Sequence, residues 1–151
     1  MIEQRISAGG IVIRDGKVLL VHHFQENQFD FWVLPGGGIE GDEGILKAAE
    51  REVWEETNLT VRAERIAYVE DFIDEGRYVC KFWVYCSVEK GNLSFEHKDA
   101  NEDFLKDARF FSKEELQGMN VFPSILKDVL WQDLEAEFPT IKYLGYKQHE
   151  S

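Results

Sequence analysis

Apolar and polar residues alternate along residues 77–89, where Cys80, Phe82, Val84 and Cys86 interleave with Val79, Lys81, Trp83 and Tyr85. A period of two predicts a strand. Residues 60–73 predict another long strand, joined to the first near Asp74-Glu75-Gly76. Residues 5–14 and 17–24 read as a hairpin across Asp15-Gly16. A polar loop is expected over 25–30, then a short strand over 31–35, closed by Pro35. Gly36, Gly37 and Gly38 follow. Glycine permits positive φ and lets backbone come close to a ligand.

The period changes between residues 42 and 57. Asp42 is a fair N-cap for a helix from about Glu43 to Thr57. Leu46, Ala49 and Val53 fall on one stripe, suited to packing on a sheet. Ala48 lies close in angle to the helix glutamates, where a small side chain leaves room for a ligand. Further on, Lys90-Gly91-Asn92 is a turn, residues 97–107 an acidic loop, and Ala108–Ser112 a strand. Ser112 and Glu115 make a capping box for a short helix. Pro123 suits the start of another helix carrying Leu126, Val129, Leu130 and Leu134. The tail from Pro139 carries no clear pattern. Together these elements predict an α/β protein with a mixed sheet, in one domain over residues 1–151.

Charge narrows the function. The net charge is −12, with 29 acids against 17 Lys and Arg. Broad binding to duplex DNA or to an anionic membrane surface needs basic patches, so neither is expected. No apolar run approaches the ~20 residues of a membrane span. Cys80 and Cys86 would lie ~20 Å apart on one strand and cannot bridge there. A reducing, cytoplasmic setting follows.

The acid excess is concentrated. Residues 40–56 hold Glu40, Asp42, Glu43, Glu50, Glu52, Glu55 and Glu56 against Lys47 and Arg51. At about 100° per residue, Glu52, Glu55 and Glu56 share one face near the end of the helix. Like charges at these spacings repel, and the helix dipole is already negative there. A divalent cation removes the conflict, because hard ions take carboxylate oxygens. His22-His23 looks like a metal pair, but adjacent strand residues face opposite ways. One buried and one exposed histidine is expected. Glu40 is open between a supporting group and a plain loop acid. Phe31, Trp32, Tyr78, Trp83 and Tyr85 are aromatic candidates for stacking on a base, though most aromatics on sheets are core.

The run Gly37, Glu43, Arg51, Glu52, Val53, Glu55, Glu56, Asn58, Leu59 resembles the Nudix box, G-x5-E-x7-R-E-U-x-E-E-x-G-U, with U a bulky aliphatic. Asn58 replaces the usual last glycine. That is a mild departure, since Asn is the next best residue in the left-handed position after a helix. The resemblance implies the α/β/α sandwich of Nudix hydrolases, with a loop-helix-loop motif over 37–59. It implies metal-dependent hydrolysis of a diphosphate linkage by water. Glu52 and Glu56 would be the main metal ligands, with Glu55 close behind, for Mg²⁺ or Mn²⁺. Glu52 would also be a candidate base. Arg51 would pair with Glu43 and hold the motif in shape, and Gly37 would permit the turn at the helix entrance. Some relatives take the base from a separate loop. Glu102 is the best such residue here, with Asp103 and Asp99 as rivals. The substrate implied is a small-molecule nucleotide: a nucleoside triphosphate, or another nucleoside diphosphate linked to a further group. A nucleotide-sensing domain without catalysis is the alternative, and an RNA 5'-end pyrophosphohydrolase ranks below it.

Overall fold

The structure is a computed structural model that describes residues 2–97 and 102–148. Among these residues nine strands form one sheet system: β1 (Glu3–Arg14), β2 (Lys17–Gln25), β3 (Phe29–Val33), β4 (Gly36–Gly38), β5 (Thr60–Asp74), β6 (Arg77–Lys90), β7 (Leu105–Phe111), β8 (Val121–Phe122) and β9 (Lys142–Gln148). Three α-helices accompany them: α1 (Ile45–Thr57), α2 (Lys113–Leu116) and α3 (Val129–Glu135). The main path runs β8-β3-β2-β1-β6-β5-β9. β4 adds to β1 and β7 adds to β2. β1 runs parallel to β6 and antiparallel to β2 and β4, so the sheet is mixed.

The two expected hairpins form for the expected reason. Asp15-Gly16 and Glu75-Gly76 all take positive φ, the backbone that a two-residue hairpin turn demands. Strand alternation then sorts side chains to two faces. Ala8, Val12, Leu19 and Val21 join Ala48, Ala49 and Val53 of α1 in one core. Ile11, Val18 and Leu20 point the other way, to a second core with Leu116, Leu126 and Leu130. Helices therefore cover both faces, giving the α/β/α sandwich expected. Each fully buried aliphatic side chain contributes on the order of 1.5–3 kcal/mol. At Gly10 an added Cβ would fall 2.6 Å from Val53 Cγ2, so α1 packs directly on the β1 backbone.

Several local expectations are corrected. The polar loop shrinks to a turn, because β2 extends to Gln25 and β3 begins at Phe29. Gly36–Gly38 is a strand, and none of its three residues has positive φ. α1 begins at Ile45, with Gly44 rather than Asp42 at its N-cap and no side-chain cap. Leu46 is exposed, so the buried stripe rests on Ala49 and Val53 without it. Ala48 is fully buried in the core with Ala49 and Val53 rather than open beside the glutamates. Pro123 precedes a 3-10 turn, Ser124–Lys127, and α3 follows only from Val129. The tail becomes β9, parallel to β5. The capping box at Ser112 and Glu115 is present with both hydrogen bonds.

Candidate active site

The site is built where β4 passes α1. β4 pairs with β1 at Ser7, Ala8 and Gly9, which fixes the triglycine against the centre of the sheet. An added Cβ at Gly37 would lie 2.5 Å from Glu52 Oε1, so the missing side chain is what admits the carboxylate. Close approach, rather than a turn, is therefore what this glycine supplies. α1 then ends as the sequence predicts. Asn58 takes φ 70, the left-handed cap, and its N–H donates to Trp54 O.

Arg51 organises the motif. Its guanidinium donates to both Glu43 oxygens, with Nη2 to Oε1 at 2.7 Å and Nε to Oε2 at 3.0 Å. Nη2 also donates to Gly38 O at 3.0 Å, which ties the helix to β4. Nη1 donates to Glu55 Oε1 at 2.8 Å and Glu52 Oε1 at 3.2 Å. Glu43 in turn accepts from the Glu40 N–H, and Arg51 holds its carboxyl below the ordinary range. This use of Glu43 explains why it does not open the helix. Glu40 itself stays exposed, 3.7 Å from Arg51.

Glu52 and Glu56 are both buried, one helical turn apart. Burial pushes Glu52 up to about 7, against the pull of Arg51. Burial also pushes Glu56 well above the ordinary carboxylate range, reinforced by Glu52 and Glu102 and opposed by Lys81 and the Gly36 N–H. Glu56 Oε1 is buried without a hydrogen-bond partner among the described residues. An orphaned buried oxygen of this kind costs about 1–3 kcal/mol and asks for an explanation.

Glu52, Glu56 and Glu102 line one cavity of about 360 Å³, together with Arg5, His23 and Phe104. The separate-loop acid is thus brought to the helix glutamates. Asp103 is exposed and does not line the cavity, and Asp99 lies outside the described residues. Glu55 is held by Arg51 and does not line the cavity either. Among the described residues, no three acidic, imidazole or thiol groups stand close enough to form a ready-made cation cage. The Arg5 side chain makes no hydrogen bond or ion pair with another described residue, and its guanidinium packs on Gly38, where an added Cβ would fall 2.6 Å from Nη2.

The histidines take a form the sequence did not give. Both are half-buried. His22 Nε2 donates to Asp30 Oδ1 at 2.6 Å and its ring stacks on Trp32, whereas His23 faces the cavity. Burial, with Lys81 and His22 nearby, pushes His23 down to about 4, so it is neutral at pH 7. Trp83 is core, Tyr85 packs on Phe138, and Tyr78 donates to Asp71. None of the five aromatic candidates lines the cavity; Phe104 does. Arg5, His23 and Phe104 belong to no local motif. Only the pairing of distant strands brings them in.

A sheet covered by helices on both faces, with a glycine strand passing a glutamate-bearing helix, is the architecture of the Nudix class. A model of the NUDIX domain matches residues 3–129, and the chain belongs to the Nudix family. It is 37% identical over 65 residues to a MutT-like protein of Streptomyces ambofaciens, a match covering 42% of this chain and 40% of that one. It is 30% identical over 73 residues to phosphatase NudJ of Escherichia coli (strain K12), covering 48% and 47%. The chain thus spans less than half the length of these curated relatives. A Nudix hydrolase structure from Nitrosomonas europaea superposes with a TM-score of 0.76 at 18% identity, covering 97% of this chain and 80% of that one. At that identity the likeness is one of fold. No helix among the described residues is long and apolar enough to cross a membrane.

Proposed function

We propose that the protein is a hydrolase dependent on Mg²⁺, for which Mn²⁺ substitutes, that cleaves the diphosphate linkage of a nucleoside diphosphate joined to another group. The observation that carries this reading is the buried pair Glu52 and Glu56, with Glu56 Oε1 unsatisfied beside a cavity. Two buried carboxylates with raised pKa values are costly alone. A hard cation offsets that cost. Two carboxylates on one helix face suit Mg²⁺, which keeps several waters and takes one or two carboxylates plus substrate phosphates.

On this reading Glu52 and Glu56 hold the ion, and Glu55, already engaged by Arg51, is the weaker ligand. When bound, the ion neutralises phosphate oxygens and lowers the pKa of a bound water. The chain's own residues do the rest. Glu52 or Glu102 accepts the proton of the water that attacks phosphorus, since both face the cavity. Arg51 and Glu43 keep the helix and β4 in place. Arg5, a cavity cation without a partner among the described residues, supports an anionic substrate, because a guanidinium matches phosphate geometry.

Product release is measured from nucleoside triphosphates, dinucleoside polyphosphates and nucleotide sugars with Mg²⁺, beside Glu52→Gln. Turnover of one class, lost in the variant and abolished by EDTA, is the expected result. A Glu52→Gln protein as fast as wild type would overturn the assignment of the site.

A further inference from the structure

One face of the sheet is left open where α1 stops covering it. Partners in register share a face, which places Ile6, Cys80, Asp71 and Tyr146 in one row across β1, β6, β5 and β9. The next row runs Ala8, Phe82, Val69 and Tyr143, and Ala8 packs in the core with α1. β9 carries an extra residue between these rows, with Gly145 at φ 99. That bulge turns Tyr143 and Tyr146 to the same side, where strict alternation would part them. Leu46, on the first turn of α1, and Ile141, just before β9, line one groove and extend the face. Ile6, Leu46, Ile141, Tyr143 and Tyr146 are each between 40% and 63% exposed.

These rows are poor in charge on a chain of net charge −12. Glu70, Lys81 and Lys147 occupy alternate positions of the same strands and point the other way: Lys81 stands opposite Ser7 and Glu70, and Lys147 reaches Glu70 at 3.3 Å. Asp71 is the carboxylate in these rows, and both its oxygens are taken by the hydroxyls of Tyr78 and Tyr143. Those bonds let both rings leave water with no unmet donor. Five side chains of this size, about half-exposed, present roughly 500 Å² of mostly apolar surface. Half-buried Tyr78, Cys80, Phe82 and Val69 lie among them, bringing the face towards the ~800 Å² that each partner gives a standard interface. A charge-poor patch rich in tyrosine has the composition of an interface core. We propose that two copies of this chain associate through this face about a two-fold axis, Ile6, Tyr143 and Tyr146 of each packing on the same face of the other. An anionic membrane is repelled by the net charge, and a highly charged partner finds little opposite charge here. A second copy supplies a matching neutral face by symmetry alone. Association of this kind does not depend on the hydrolase reading.

Oligomeric state is the test, measured by sedimentation velocity and light scattering from about 1 to about 100 µM, which covers the weak end for interfaces of this size. The expected wild-type mass is twice the 17.6 kDa of one chain. Ile6→Glu brings a carboxylate into the apolar contact from each copy, and Tyr146→Ser removes an exposed ring from each. Each substitution counts twice in a symmetric dimer, so Kd is expected to rise by more than about ten-fold. Phe24→Ser changes an exposed ring on β2, outside these rows, and should leave Kd unchanged. Far-UV circular dichroism and thermal melts establish that each variant is folded. Should Ile6→Glu unfold, Tyr146→Ser, at a more exposed position, decides alone. A wild-type protein that keeps the mass of one chain throughout the range overturns the proposal. So does a dimer with unchanged Kd in Tyr146→Ser, which puts the interface elsewhere. A dimer weakened equally by Phe24→Ser overturns it too, since the association would then belong to no particular face.

Discussion

Gly37 and Glu52 are packed so closely that a methyl group on the glycine would overlap the carboxylate, with Cβ 2.5 Å from Oε1 and 2.6 Å from Oε2. The backbone at Gly37 is extended and would accept alanine, so a substitution there acts on the carboxylate rather than on the fold. Gly37→Ala is therefore expected to lower kcat by about 100-fold, the cost of a misplacement near 1 Å at a reacting centre. Melting temperature should fall only slightly. Saturating Mg²⁺ kinetics beside a thermal melt checks this, and an unchanged kcat would show that Glu52 does not need its present position.

Arg51 is the hub of the motif, with donors to Glu43, Gly38 O, Glu55 and Glu52. Removing it leaves three carboxylates, those of Glu43 and Glu55 half-buried and that of Glu52 buried, and one carbonyl without that partner. Arg51→Ala should destabilise the protein by about 2 kcal/mol, below the 3–5 kcal/mol of a fully buried pair because the site is partly hydrated. Arg51→Lys should recover less than half of this, since an ammonium cannot reproduce a forked contact. Urea unfolding of the three proteins measures it. Wild-type stability in Arg51→Lys would mean that charge alone, and not the fork, holds α1 to β4.

The end of α1 and the capping box were legible because each is written in a few adjacent residues. Thr57 and Asn58 stop the helix where the pattern stops, and Ser112 with Glu115 closes on itself. The glycine strand and β9 were not legible, because their hydrogen-bond partners lie far away in sequence. β4 is a strand only because β1 pairs with it, and β9 only because β5 does. The same limit hid half of the cavity. The glutamates share a helix and declare themselves by spacing, whereas Arg5, His23 and Phe104 come from β1, β2 and the approach to β7. The helix start was misplaced for a different reason: Glu43, a good first-turn residue, is recruited by Arg51 instead.

Asn58 does two things that glycine would divide. Its left-handed backbone carries a modest strain, while its side chain donates to Asn92 O at 2.9 Å and meets His97 Nε2 at 2.7 Å. His97 also stacks on Trp54 at 3.7 Å, so His97 is fastened to α1. Asn58→Gly relieves the backbone and loses the fastening; Asn58→Ala loses the fastening and keeps the strain. Asn58→Ala should be less stable than Asn58→Gly by about 1 kcal/mol, the cost of a non-glycine residue in this region. Equal stabilities in denaturant titration would remove backbone strain from the account.

Buried Glu52 and Glu56 give the metal-free protein a defined response to pH. Both have folded pKa values raised above 4.5, Glu52 to about 7. Between those values the folded state binds more protons than the unfolded chain, so stability falls as pH rises. The contribution is complete below about 4.5 and is lost as pH rises through about 7 for Glu52, and Glu56, also raised, adds a loss of the same sign. Glu52→Gln removes the titration at one site, so in EDTA its stability should decline less than that of wild type between pH 5 and pH 8. A cation that binds the ionised pair must displace these protons. Mg²⁺ should therefore raise the melting temperature more at pH 8 than at pH 6, and its binding in weakly buffered solution should release protons. The measurement is a set of melts with Mg²⁺ or EDTA across that range, beside calorimetry in two buffers of different ionisation enthalpy. A stabilisation by Mg²⁺ that is the same at both pH values, with no proton released, would place the ion away from Glu52 and Glu56.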